Sequence, residues 1–147
     1  MIISTKGRYG LRAMFELAKA WGQEPLSLKH IAKAQGLPEP YLEQIFPALK
    51  KAGLVKAKRG AGGGYGLAAP PETISVGRVL VALEGELAPA ECVGGNTSCE
   101  SADCCTTHII WQRIYDGISG VIHGITLGDM VDDYQRLGMP QAKDLRC

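Results

Sequence analysis

Two short amphipathic patterns flank the tripeptide Gly36-Leu37-Pro38, and this arrangement restricts the fold more than any other feature of the chain. Ser27 predicts a cap for a helix running to about Gln35, with Leu28, Ile31 and Ala32 turned inward. A following helix is expected from near Pro40, where the missing N–H of proline is harmless at a first turn, and it presents Leu42, Ile45, Phe46 and Leu49 to a core. Two helices joined by a tight glycine-containing turn make a helix-turn-helix, whose second member fits a DNA major groove. Pro47 lies inside this second helix and predicts a kink after about two turns.

The flanking segments extend the pattern. Leu11, Met14, Phe15 and Ala18 have helical spacing, so a helix is expected from near Tyr9 to Trp21, ended by Gly22. Leu54 to Lys58 alternates apolar and longer polar side chains, and Tyr65-Gly66-Leu67 supplies a returning strand across the loop Arg59 to Gly64. The product is a hairpin wing whose glycines allow close approach to a ligand. A nucleotide-binding phosphate loop is the competing reading, but the Lys-Ser/Thr ending is absent and no helical segment follows.

Charge supports the nucleic-acid reading. Residues 1–60 carry eleven Lys/Arg against four Asp/Glu, a net of +7, whereas residues 61–147 carry five against eleven, a net of −6. Such asymmetry suggests a polyanionic partner for the first half, although a charge excess can also be a solvated surface. Lys6, Arg8, Lys56 and Lys58 are candidates for phosphate contacts. The start of the chain lacks a basic region followed by an apolar run, and no stretch reaches the ~18 apolar residues of a membrane span. A cytoplasmic protein without membrane association is therefore expected.

Beyond Pro70-Pro71, Ser75 predicts a cap for a short helix from Val76 to Leu83. From about Thr106, the residues Ile110, Trp111, Ile114, Ile118, Val121 and Ile122 form a long apolar stripe, suited to a second copy of the chain or to its own domain. Thr126 and Asp129 predict a capping box for a last helix reaching about Tyr134. The expected class is mostly α with a small β-hairpin, a winged helix-turn-helix joined to a long dimerisation helix. Its expected divisions are a DNA-binding region at 1–70, a connecting helix and linker at 71–91, a cysteine-rich loop at 92–108, and dimerisation and C-terminal helices at 106–137.

Between the two halves lies a chemical signal, Cys92-x6-Cys99-x5-Cys105-x2-His108. Thiolate and imidazole hold zinc or an iron-sulfur cluster. Cys105 and His108 can point to one side at a helix start, where the free N–H groups favour a thiolate. The wide intervals differ from the close cysteine pairs of structural zinc sites and leave room for a larger inorganic group. Spacing alone leaves three readings open: a metal or cluster site, a metal-free thiol redox switch, or incidental cysteines. Cys104 could exchange roles with Cys105, while His30 and His123 have no cysteine close in sequence.

Taken together, Ser4-Thr5-Lys6-Gly7-Arg8-Tyr9, Tyr41-Leu42-Glu43-Gln44-Ile45-Phe46, Gly53-Leu54-Val55, the wing Arg59 to Tyr65 and the Cys92/Cys99/Cys105/His108 set followed by Trp111 resemble the IscR-type iron-sulfur cluster regulators of bacteria. The resemblance covers nearly the whole chain. It implies a non-enzymatic, homodimeric regulator of transcription, acting on double-stranded promoter DNA, with a 2Fe-2S cluster on Cys92, Cys99, Cys105 and His108. Such regulators repress or activate genes of iron-sulfur cluster assembly. It also implies a reading surface of Tyr41, Glu43, Gln44 and Arg59. Gln44 and Glu43 suit base edges in the major groove, and Arg59 suits a narrow minor groove. Pro40 stands where these regulators often have a small hydroxyl residue, the first cysteine interval is one residue longer than in familiar members, and Cys104 is additional. Arg8 stands where a related nitric-oxide-sensing branch uses an acidic residue, which favours the iron-sulfur regulator. Other expectations consistent with parts of the sequence are a DNA-binding regulator with zinc or a thiol switch, and an electron-transfer or cluster-carrier protein. The last leaves the basic first half and the wing without a role.

Overall fold

A computed structural model describes residues 2–95 and 99–138. Helix α1 (Thr5–Lys19) starts four residues before the expected Tyr9 because the Ser4 side chain accepts from the N–H groups of Lys6 and Gly7. Helix α2 (Leu28–Gln35) has the expected Ser27 cap and ends at Gly36, whose φ of 61° puts it in the left-handed region. Helix α3 (Glu39–Lys51) follows after Leu37-Pro38. It continues as one helix through Pro47, which is solvent-exposed, so water can serve the carbonyl left without a proline N–H.

The wing consists of β1 (Val55–Lys58) and β2 (Gly64–Leu67), paired antiparallel with Val55 opposite Leu67 and Lys58 opposite Gly64. A bridge that periodicity did not reveal joins the wing to the segment before α2. Leu26 N–H donates to the Tyr65 carbonyl at 2.9 Å, and Tyr65 N–H donates back at 2.8 Å. Gly64 permits this approach, since a Cβ there would lie 2.4 Å from the Leu26 carbonyl oxygen. The hairpin is thus fixed to the helix-turn-helix rather than projecting freely.

Helices α4 (Val76–Glu84), α5 (Thr106–Gly124) and α6 (Leu127–Arg136) complete the described chain. Short 3-10 turns at Pro71–Thr73 and Ala102–Cys104 fall where no regular element was expected. The main core joins Ala13, Met14 and Leu17 of α1, Ile31 of α2, Leu42, Ile45, Phe46 and Leu49 of α3, Leu54 and Leu67 from the wing region, and Val79 and Leu83 of α4. All four inward residues expected on α3 are buried. Gly7 and Gly10 let α1 meet α4 closely, because a Cβ at Gly10 would collide with the Leu83 side chain. The architecture is mostly α with one small hairpin, as the sequence pattern implies.

Helix α5 is covered on one side only, where Ile122 packs against Val76 and Leu80 of α4. None of its residues is buried in the single chain, and Ile109, Ile110, Trp111, Ile114 and Val121 are all exposed, Val121 to 62%. Its carboxyl end is nevertheless anchored through α6, which has the expected capping box and packs Tyr134 against Phe15 of α1 with ring centroids 5.4 Å apart. The Lys19 ammonium lies over both rings. No helix among the described residues is long and apolar enough to cross a membrane.

Candidate functional site

The second helix of the helix-turn-helix is oriented by a buried polar chain. Gln35 at the end of α2 donates through Nε2 to Glu16 Oε2 at 2.7 Å, and its backbone and side-chain oxygens accept from the Arg12 guanidinium. Lys19 completes the charge balance on Glu16 at 2.9 Å. With Glu16 and Gln35 buried, these bonds satisfy groups that would otherwise be costly to remove from water. They tie α2 to α1 immediately before the turn that leads into α3.

At the start of α3, Glu43 and Gln44 are exposed while Leu42 and Ile45 are buried, so the helix divides into a core face and an outward polar face. Tyr41 is half-buried, packed against the core and edge-on to Tyr9 at 5.3 Å between ring centroids. That packing orients the first turn of α3. Pro40 lies in the same turn, which begins after Pro38 and has no side-chain cap.

On the wing, Lys56 and Lys58 alternate with Val55 and Ala57, so the two lysines share a face. Their cross-strand partners are Gly66 and Gly64, which have no side chains to cover them. Lys58 makes an exposed ion pair with Glu24 at 3.6 Å, an interaction weak enough to exchange for a stronger anion. Arg59 is exposed where the strand enters the loop, and Gly60 and Gly62 turn that loop with φ of 93° and 72°. Lys6 and Arg8 lie on the first turn of α1. Lys6 is half-buried, whereas Arg8 is exposed and donates to the Thr5 hydroxyl at 3.2 Å.

The cysteine segment presents two unequal halves. Cys105 is the N-cap of α5, and its sulfur lies 3.1 Å from the Thr107 hydroxyl. The Thr107 side chain foremost, then the backbone N–H of His108, hold the Cys105 thiol below its ordinary pKa. One turn along, His108 Nδ1 is buried without a hydrogen-bond partner. An imidazole nitrogen held away from water with nothing to bond is suited to a metal. Thiolate and imidazole chemistry at these two positions therefore fits zinc or iron.

Cys92 is half-buried beside the fully packed Val93, and Cys99 is exposed. Cys104 is also exposed, with its thiol directed back to the Ser101 carbonyl at 3.5 Å. Among the described residues, no three His, Cys, Asp or Glu side chains converge closely enough to hold a metal ion. The structure thus brings Cys105 and His108 onto one helix turn without gathering Cys92 and Cys99 onto them. Cys147 lies outside the described residues.

Comparison with known proteins gives this geometry its setting. Residues 3–133 match the Rrf2 family, described as an iron-dependent transcriptional regulator. The chain is 37% identical over 145 residues to the HTH-type transcriptional regulator IscR of Vibrio campbellii, covering 99% of this chain and 86% of that protein. It is 44% identical over 130 residues to the HTH-type transcriptional regulator CymR of Bacillus subtilis, covering 88% of this chain and 89% of that protein. The solved structure of T. potens IscR superposes with a TM-score of 0.76 at 42% identity, covering 99% of this chain and 97% of that one. The arrangement is that of a DNA-binding regulator rather than an enzyme, and the chain belongs to the Rrf2 family of winged helix-turn-helix transcriptional regulators.

Proposed function

We propose that the protein is a homodimeric regulator that couples promoter binding to iron-sulfur status. The observation that carries this reading is the buried, unpartnered Nδ1 of His108 one turn from the acidified thiol of Cys105. Both belong to the Cys92/Cys99/Cys105/His108 set, which supplies the soft and borderline donors that a 2Fe-2S cluster takes. When bound there, such a cluster supplies a one-electron redox centre and a reason for the four ligands to be held together. Cys105 and His108 anchor the ligand set to the first turn of α5. Cys92 and Cys99 bring the preceding chain to that helix.

Helix α5 is the element on which this binding acts. Ile109, Ile110, Trp111, Ile114 and Val121 lack cover within the chain, and a second copy supplies it symmetrically. Each reading head then presents Glu43 and Gln44 to base edges, Arg59 to a minor groove, and Lys6, Arg8, Lys56 and Lys58 to phosphates. Tyr41 orients the reading helix from its edge-on contact with Tyr9. Ligand binding at the amino end of α5 changes promoter choice by favouring one relative placement of the two heads.

Anaerobic purification, visible absorption and promoter-binding titrations test this reading. Wild type binds its preferred promoters differently with and without the cluster, and Cys99→Ala behaves as the cluster-free form. Unchanged promoter selection after verified cluster loss defeats it.

A second reading is favoured by the separation of Cys92 and Cys99 from the helix donors and by the 44% identity to B. subtilis CymR. Here the exposed thiols of Cys99 and Cys104 and the half-buried thiol of Cys105 act in a regulator that needs no cluster. A zinc-containing or nitric-oxide-responsive regulator is a further variant of the same DNA-binding frame. Metal and sulfide content separates them.

A further inference from the structure

We infer that Glu84-Gly85-Glu86 links the cysteine segment to the start of α1, and that Glu84 is a positioning residue for the DNA contacts of Lys6 and Arg8. This rests on the reading of those two side chains as phosphate contacts. Glu84 Oε1 accepts from the backbone N–H of Gly7 at 2.8 Å and from the Ser4 hydroxyl at 2.5 Å. The first bond satisfies a first-turn N–H that the helix cannot satisfy itself, and both hold a negative charge where the helix dipole favours one. Gly7 is buried, and a Cβ on it would come within 2.3 Å of the same oxygen. Lys6 and Arg8 flank it directly, so the position of Glu84 sets the height of their backbone on α4.

Two residues later, Glu86 makes the corresponding contact on the sensor side. Its Oε2 accepts from the Gly95 N–H at 2.5 Å, and a Cβ on Gly94 would lie 2.5 Å from that oxygen. The carboxylate therefore rests against the backbone that separates Cys92 from Cys99. Gly85, with φ 79° and ψ −164°, joins the two acids in a conformation that side chains other than glycine rarely adopt. Leu83 and Leu87 are buried on either side of this short link. A displacement of the Gly94-Gly95 backbone reaches α1 through three residues, without passing along α5. Neither carboxylate belongs to the ligand set or the reading surface, and their chemistry is backbone recognition.

The test uses full-length, reduced, metal-free protein and an operator-length duplex selected by the wild type from a random-sequence pool. Glu84→Ala weakens binding about tenfold and lowers the salt dependence of log K by about 1 to 2, as expected for one or two lost phosphate contacts. Glu84→Gln keeps an acceptor and loses less. Glu84→Ala adds no further loss in a Lys6→Ala/Arg8→Ala background. In the free protein, Glu86→Ala speeds hydrogen exchange at the Gly7 amide several-fold and reproduces part of the binding loss.

Removal of a negative charge alone would tighten DNA binding, so tighter or unchanged binding by Glu84→Ala overturns the assignment. Equal losses in both backgrounds overturn it as well, because they reduce Glu84 to a general stabiliser. Wild-type exchange and binding in Glu86→Ala break the link to the cysteine segment. An unaltered salt slope in Lys6→Ala/Arg8→Ala shows, with both glutamates intact, that the phosphate-contact reading has failed and takes this inference with it.

Discussion

Ser75 and Thr126 face each other across an isolated antiparallel bridge that fastens the end of α5 to the start of α4. Val76 N–H donates to the Ile125 carbonyl at 2.8 Å, and Leu127 N–H donates to the Ile74 carbonyl at 2.9 Å. His123 Nδ1 lies 3.3 Å from the Ser75 hydroxyl at the same junction. The carboxyl end of α5 is consequently fixed to its own reading head, while the amino end bears Cys105 and His108.

Thr126 also starts α6, giving this junction a measurable energetic signature. Thr126→Ala lowers stability by about 1 kcal/mol in urea unfolding, with an unchanged slope, through loss of the cap. The Asp129 carboxyl is held below the ordinary carboxylate range by the Thr126 N–H first and its hydroxyl second. A depressed folded-state pKa stabilises above the unfolded value, near pH 4, and that contribution disappears as pH falls through the folded value. The stability difference between wild type and Asp129→Asn is therefore present at neutral pH and shrinks on acidification below about pH 4. Urea titrations at several pH values check this.

The wing is tied down at Gly64, where an added Cβ would meet the Leu26 carbonyl at 2.4 Å. Gly64→Ala breaks the paired bonds between Leu26 and Tyr65 and misplaces Arg59 relative to α3. Helical circular dichroism is retained, while operator affinity falls by roughly 1–3 kcal/mol, the scale of one lost specific contact. Fluorescence anisotropy with matched and mismatched duplexes measures the change.

Gln44 and Lys56 are predicted to fail in different ways. Gln44→Ala removes a base-edge contact, lowering affinity by about 1–3 kcal/mol and relaxing preference at a single base pair. Lys56→Ala weakens binding to all sequences and reduces the salt slope by about 1. Salt-dependent titrations on a panel of single-base operator variants separate the two effects.

An aspartate on the uncovered side of α5 tests pairing of the helix. Val121 is 62% exposed in the single chain, so Val121→Asp leaves the chain folded but places a charge in the proposed symmetric contact. Sedimentation shows a dimer for wild type and a shift towards monomer for the variant. A wild-type monomer at micromolar concentration contradicts the pairing.

Much of this fold is readable from local pattern, because α2, the turn at Gly36 and the inward face of α3 follow from spacing, caps and turn chemistry. Leu42, Ile45, Phe46 and Leu49 all reach the core from such a pattern. The start of α1 is less accessible to the same reasoning. Its cap at Ser4 is shared with Glu84, eighty residues away. Long-range polar contacts leave no period, so Gln35 with Glu16 and Glu86 with Gly95 also escape a local reading. Pro47 does not end α3, which runs through it to Lys51 with the proline exposed. At the cysteine segment, residue types identify possible donors, but the placement of Cys92 and Cys99 depends on the intervening chain rather than helical spacing.

Iron, zinc and acid-labile sulfide analysis of protein purified without oxygen tests the central claim most directly. The predicted result is about two iron and two sulfide per chain, as in a 2Fe-2S centre, kept in Cys104→Ser and lost in Cys105→Ser and His108→Ala. Stoichiometric zinc, or thiols with neither metal nor sulfide in the freshly isolated wild type, would contradict it.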